Sequence, residues 1–281
     1  MKKKALIVSI KSTSLTRKEK RLFSKEKPWG VILFERNLQS INQIKKLTSN
    51  IKFLTKNKNF PIIIDEEGFT VTRLKKVINH DFCAYHFGKI YKENKSLCLH
   101  LYKLYLNSLC LTLKNLGINI NTIPVLEVLR DYTNRVIGKR SFSKNKKIVR
   151  DLGKYTIKKL NKNKIGSIIK HIPGHGASKT DSHKKTPKVS LSKKKLNETD
   201  FFPFKDIKSH IAMTAHILYP SLDKKNVATF SKKIIKEIIR KKIGFKGILI
   251  SDDISMKALK HDLVTNAKKS LIAGCNIVLY C

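Results

Sequence analysis

Eight short apolar runs, rich in β-branched residues, recur along the 281 residues of the chain and restrict its fold more than any other feature. They are ALIVSI at 5–10, GVILF at 30–34, PIII at 61–64, INTIPVLEV at 120–128, GSII at 166–169, IAMTAH at 211–216, GILI at 247–250 and NIVLY at 276–280. Each is nearly continuous rather than alternating, which suits a strand buried on both faces. Stretches with helical spacing lie between them: Ile41 to Leu54, Ser96 to Leu116, Val149 to Leu160, Ser231 to Ile243 and Ser255 to Ala273. Gly117, Gly166, Gly247 and Gly274 stand just before strands, where helix stops and turns fall. Eight strands alternating with helices predict an α/β chain closed as a parallel (β/α)8 TIM-type barrel, with a doubly wound open sheet as the other solution. No internal repeat and no Pro- or Ser-rich linker divides the sequence, so one barrel domain over 1–281 is the economical reading.

Composition narrows the class. Hydrophobic residues make up 41% of the chain, enough for a sizeable core. Sixty Lys and Arg stand against 20 Asp and Glu, a formal charge of +40. Such a charge favours anionic partners. The basic residues nevertheless run through nearly every polar stretch, with no zinc-finger spacing, RNA-binding aromatic motif or basic heptad array. A solvated basic surface is therefore expected, and no specific nucleic-acid partner. The cysteines, at 83, 98, 110, 275 and 281, are odd in number and form no CxxC, which fits a reducing cytoplasm rather than a disulfide framework or a zinc site. The basic start MKKK is followed by an apolar run too short for a signal peptide. No segment approaches the ~20 apolar residues that span a bilayer, so no membrane insertion is expected.

In a barrel of this kind functional groups gather where strands run out into the following loops. Strand three ends in Asp65-Glu66-Glu67-Gly68, strand five in Lys170-His171-Ile172-Pro173-Gly174-His175-Gly176, strand six in Thr214-Ala215-His216 and strand seven in Ser251-Asp252-Asp253. A single Asp or Ser at such a junction is readily explained as a helix cap. Five of only 20 acids in two strand-end clusters ask for more than capping. Alternation along strand seven puts Ile248, Ile250 and Asp252 on one face and Leu249, Ser251 and Asp253 on the other, so one aspartate of the pair continues the inward face and the other caps or supports the loop.

The runs KHIPGHG (170–176), TDSH (180–183), MTAHILYPSLD (213–223) and GFKGILISDDISMKAL (244–259) resemble bacterial β-N-acetylhexosaminidases of glycoside hydrolase family three. So do GVILFERN (30–37), IIIDEEG (62–68) and VIGKRSFS (136–143), and the resemblance covers essentially the whole chain. It implies a catalytic barrel that removes terminal β-linked N-acetylglucosamine from muropeptide fragments in the cytoplasm, as in peptidoglycan recycling, with no cofactor and no metal. By the same resemblance Asp252 is the nucleophile, able to stabilise oxocarbenium character and to form a glycosyl ester. His183 is the general acid/base, paired with Asp181, where most retaining glycosidases use a second carboxylate. Asp65, Arg140, Lys170 and His171 match positions that hold the sugar, and Arg73 is a further substrate-side contact. A lysine buried after an apolar strand is costly without partners, which Asp65 or the ligand would supply. His216 reads equally well as a hydrogen-bonded core histidine, and His175 as a loop support.

Three departures accompany the resemblance. Gly68-Phe69-Thr70 stands where the family has a Gly-Gly-Arg run, and Lys139 where it has an Asp. The sequence also stops at Cys281, after the last strand, so the family's closing C-terminal helical region is expected to be missing. These departures leave a second reading: a degenerate barrel that binds muropeptide or a partner without efficient turnover.

Overall fold

The computed structural model describes residues 3–79, 81–180 and 186–281. Eight parallel strands close on themselves: β1 (Lys4–Val8), β2 (Pro28–Leu33), β3 (Ile62–Ile64), β4 (Ile120–Asn121), β5 (Gly166–Ile172), β6 (Ile211–Thr214), β7 (Ile248–Asp253) and β8 (Ile277–Tyr280). Each pairs with its sequence neighbours, and β1 pairs with β8, so no edge is left open. The helices around them are α1 (Arg17–Arg21), α2 (Ile41–Leu54), α3 (Ala84–Glu93), α4 (Lys95–Asn115), α5 (Lys146–Lys162), α6 (Lys193–Glu198) and α7 (Leu263–Ala273). A π-helical segment, Ile234–Lys242, fills the position between β6 and β7.

The barrel is filled by one side of every strand. Ile7, Ile32, Ile63, Ile120, Ile168, Ile211, Met213, Ile250, Ile277 and Leu279 form a single buried cluster inside it. The residues between them, such as Val31, Ile62, Ile64, Ile169, Ala212 and Leu249, point outward into a second and larger core under the helices. A strand buried on both faces shows no polar alternation, which is why the runs read as continuous.

Capping explains where the helices begin. Ser40, Asn94, Asn145, Ser192 and Asp262 each accept a main-chain N–H from the first turn of α2, α4, α5, α6 and α7. Asp262 sets the largest difference from the sequence reading: helical spacing from Ser255 is real, but the helix starts at Leu263. The preceding stretch is a turn, in which the Asp253 carboxylate accepts the Ser255 amide (3.0 Å) and hydroxyl (2.6 Å).

β4 is the other difference. The apolar run 120–128 yields a strand of two residues, because Pro124 has no N–H to give to a ladder. The Asn121 side chain takes over part of the pairing: its Oδ1 accepts the Glu66 amide at 3.0 Å and its Nδ2 donates to the Glu66 carbonyl at 2.8 Å. The chain beyond Pro124 runs beside β5 through the bridge Val125–Lys170, and Val128 then bridges to Ser143 ahead of α5. No helix among the described residues is long and apolar enough to cross a membrane.

Ile168 is fully buried in the barrel interior. Ile168→Ala should therefore destabilise the protein by about 2–5 kcal/mol, read from the urea midpoint at unchanged m-value. A loss well under 1 kcal/mol would mean that the interior collapses around the gap.

Candidate active site

The same alternation that fills the barrel decides what reaches its mouth. One step of two residues beyond the interior layer, Ile32 leads to Phe34, Ile63 to Asp65, Ile120 to Thr122, Ile168 to Lys170, Ile250 to Asp252 and Leu279 to Cys281. A cleft of about 380 Å³ opens there, with Ile32, Met213 and Leu279 as its floor. Asp65, Arg73, Arg140, Lys170, His171 and Asp252 all line it, so six residues singled out in the sequence meet in one place. Asp181 and His183 lie outside the described residues.

Lys170 is the hub. Its ammonium donates to Asp65 Oδ1 at 3.0 Å and Thr122 Oγ1 at 2.7 Å, and pairs with Glu67 Oε1 at 2.6 Å, while its side chain is 3% exposed. Arg140 grips Glu67 with both ends of its fork, Nε to Oε2 at 2.8 Å and NH2 to Oε1 at 2.9 Å. A bidentate pair of this kind is directional as well as strong. Asp65 also accepts from Thr122 and lies 3.4 Å from Arg73, whose guanidinium stacks over Phe34. Burial on its own would raise the Asp65 carboxyl, but Lys170, Arg73 and the Thr122 hydroxyl outweigh it and hold the acid well below the usual carboxylate range. In Glu67 burial likewise works upward, and Arg140 with Lys170 bring it below its ordinary value. Glu66 clamps the intervening loop from below, since its Oε2 accepts the amides of Arg73 and Leu74, each at 2.9 Å. That clamp sets Thr70, Val71 and Arg73 along the rim.

On β5 two consecutive side chains, Lys170 and His171, both face the cleft, because the pairing with β6 shifts register between Ile169 and Ile172. His171 is tied to Glu127: Glu127 Oε1 accepts the His171 main-chain N–H and contacts its Nδ1, both at 2.8 Å. Burial and then the charges of Arg140 and Lys170 push the imidazole well below its ordinary value. Burial pushes the Glu127 carboxyl well up, even with the main-chain amides of His171 and His175 favouring its anion. The following Gly174 and Gly176 are required by close approach. Gly174 has φ +134°, and a Cβ on Gly176 would lie 2.2 Å from the Val128 carbonyl oxygen. The loop thus lies flat on the post-β4 segment, with His175 in the cleft wall against the His171 ring at 5.8 Å between centroids.

Asp252 projects into the cleft with Oδ1 accepting the Asp253 amide at 2.8 Å. Asp253 also reaches the rim, but its carboxylate is engaged by Ser255 and by the Cys281 amide. His216 is a core histidine: Nδ1 contacts Thr229 Oγ1 at 2.7 Å and Nε2 contacts the Asp253 carbonyl at 3.0 Å, beneath the loop rather than in the cleft. Phe69 turns outward and is 60% exposed, while Thr70 lines the cleft.

Sequence reasoning gave no role to Glu67, Thr122, Glu127 or Arg135, which also belong to the cleft or its support. One signal was available for Glu127: an acid inside an apolar run of an acid-poor chain is costly to bury without a partner. Outside the cleft, Arg130 pairs with buried Asp200 through two bonds and ties the post-β4 segment to the end of α6. Among the described residues no group of three or more His, Cys, Asp or Glu is placed to hold a metal ion.

The pattern for the glycosyl hydrolase family 3 N-terminal domain matches residues 2–281. The chain belongs to this family. A β-hexosaminidase of Nitrosomonas eutropha is 33% identical over 281 residues, covering 98% of this chain and 80% of that protein. One of Neisseria meningitidis is 34% identical over 283 residues, with 98% and 77% covered. Among solved structures, Neisseria gonorrhoeae NagZ in complex with N-trifluoroacetyl-D-glucosamine superposes with a TM-score of 0.91 at 34% identity, over 99% of this chain and 81% of that one. The chain thus spans about four-fifths of the length of these relatives.

The charge network predicts a pH signature. Asp65 and Glu67 have folded-state values below their unfolded ones. They therefore add stability that is present above about pH 4–5 and is lost as pH falls through the folded values. Lys170→Met leaves both carboxylates buried without their shared cation, at a cost of about 3–5 kcal/mol near neutral pH. Below about pH 4 the variant's carboxylates take up protons and the deficit against wild type narrows. Urea unfolding of both proteins across this range checks it; a deficit independent of pH would show that Lys170 acts by packing alone.

Proposed function

We propose that the cleft releases terminal, non-reducing β-linked N-acetylglucosamine from muropeptide fragments, with retention, through a covalent glycosyl ester on Asp252. The coarser part follows from the family and from relatives named β-hexosaminidase that match nearly the whole chain: the protein is a β-N-acetylhexosaminidase, a glycoside hydrolase acting on N-acetylglucosamine. The observation that carries the finer reading is the placement of Asp252 at the barrel mouth, in one cleft with the hydrogen-bonding groups of Asp65, Arg73, Lys170 and His171. A carboxylate there can attack an anomeric carbon while those groups grip the sugar hydroxyls.

In this mechanism binding energy from the sugar ring holds the anomeric carbon at the Asp252 carboxylate. His183, oriented by Asp181, protonates the departing oxygen, and the glycosyl–Asp252 ester forms as the aglycone leaves. His183 then takes a proton from water, which attacks the anomeric carbon and frees Asp252. A histidine with a carboxylate partner suits both steps, since its charge changes near neutral pH. The roles of Asp181 and His183 rest on the TDSH resemblance. Recycling of wall fragments places the reaction in the cytoplasm.

Two outcomes test the reading. The purified chain hydrolyses 4-nitrophenyl N-acetyl-β-D-glucosaminide in preference to the corresponding glucoside, and Asp252→Ala abolishes turnover while leaving the unfolding midpoint near wild type. An inactive but sugar-binding wild type would favour the binding-only barrel, and labelling of Asp253 by a mechanism-based fluorosugar would move the nucleophile. His183→Ala should slow substrates with poor leaving groups by about 10²–10⁴-fold and activated aryl glycosides far less. Equal losses on both would leave His183 no part in proton transfer.

A further inference from the structure

Glu127 is a buried acid beside the cleft to which the mechanism above gives no task. It has no exposed surface, in a chain with only 20 acids. Its main chain is pinned on both sides: Leu126 N–H donates to the Lys170 carbonyl at 2.8 Å, and Ser141 Oγ donates to the Glu127 carbonyl at 2.5 Å. Its side chain is directed at His171, with the His175 main-chain N–H also favouring its anion. The single oxygen Oε1 meets both the main-chain N–H and the Nδ1 of His171, each at 2.8 Å.

That geometry selects a tautomer. The main-chain N–H is always a donor, so Oε1 is already an acceptor; with any carboxyl proton of Glu127 on the other oxygen, a second donor at Nδ1 completes the same arrangement. Burial and the charges of Arg140 and Lys170 favour the neutral ring, which carries one N–H. With that proton on Nδ1, Nε2 presents a lone pair. Among the described residues Nε2 has no hydrogen bond to protein, and the ring lines the cleft.

The cleft is short of such acceptors. Lys170, Arg73 and Arg140 can only donate. Thr122, Lys170 and Arg73 take three of the roughly four lone-pair sites of Asp65, and Arg140 and Lys170 take three of those of Glu67. A sugar hydroxyl both donates and accepts, so a wall of cations satisfies half of its capacity. We propose that Glu127 is a positioning residue that fixes His171 as the Nδ1–H tautomer, so that Nε2 accepts a hydrogen bond from one hydroxyl of the bound sugar. The proposal rests on the reading that this cleft holds a sugar, and it assigns a hydroxyl-reading role to a residue pair rather than to His171 alone.

The test compares Glu127→Gln, which keeps a carbonyl oxygen in place, with Glu127→Met, which keeps the bulk and removes the acceptor. Nitrogen-15 NMR of histidine-labelled protein should show His171 as neutral Nδ1–H in wild type and Glu127→Gln, and as Nε2–H in Glu127→Met. The kinetic arm uses 4-nitrophenyl N-acetyl-β-D-glucosaminide and its 3-, 4- and 6-deoxy analogues. Wild type should lose about 10-fold in kcat/KM on one of these analogues, and Glu127→Met about 10-fold on the parent substrate with no further loss on that same analogue. Glu127→Gln should stay within about 3-fold of wild type on all of them. Losses that add for every hydroxyl would reduce Glu127 to a structural residue, and a wild-type Nε2–H signal would overturn the proposal outright. Absence of hydrolysis in wild type would refute the proposed function instead, while the NMR signal still decides the tautomer. If Glu127→Met does not fold, the wild-type and Glu127→Gln spectra decide it.

Discussion

The closed barrel depends on a layer of buried side chains drawn from all eight strands, most of them isoleucine. Filling that layer fixes the rotational setting of every strand, because a strand slipped by one residue would turn its interior side chain outward. The setting then propagates. Two residues further along each strand the next inward position lies at the mouth, and there the chain places Asp65, Thr122, Lys170 and Asp252. The geometry of the cleft is thus a consequence of interior packing, and chemistry is confined to the last inward position of each strand.

Electrostatics at the mouth works against the rest of the molecule. A surface with a formal charge of +40 draws on very few acids, yet Asp65, Glu67, Glu127 and Asp252 all stand at or beside one cleft. Buried charges are tolerable only when paired and hydrogen-bonded. Lys170 meets that condition by serving Asp65 and Glu67 at once, and Arg140 holds Glu67 in a fork. The cations at the wall are therefore held in place before any ligand arrives, which is the preorganisation a binding site requires. His171 is treated differently: burial among those cations favours its neutral form, and Glu127 restrains it.

Much of this was legible beforehand. Seven of the eight runs named their strands to within a few residues, because parallel strands buried on both faces leave an apolar signature that survives a lysine-rich composition; the run 120–128 named only the start of β4. Helices α2, α4 and α5 followed from their spacing, while α1, α3 and α6 did not; α1 and α6 are short and strongly basic. Asp65, Lys170, His171 and Asp252 stood out as polar residues ending apolar runs. Arg73 and Arg140 came through family resemblance, since they reach the cleft from loops whose path no periodicity encodes.

The sequence by itself determined the strand count, the alternation with helices and the inward face of β7, since each depends on local spacing that a chain cannot hide. Tertiary structure alone decided partnership. Glu67 and Lys170 are separated by a hundred residues, and nothing local says that the acid meets Lys170 and Arg140 rather than solvent. Glu127 and His171 meet because the segment beyond Pro124 runs alongside β5, and the register shift in β5 turns two neighbouring side chains to one side. Spacing along the chain fixes which face a residue takes, but closure of the barrel brings distant faces to within a hydrogen bond of each other.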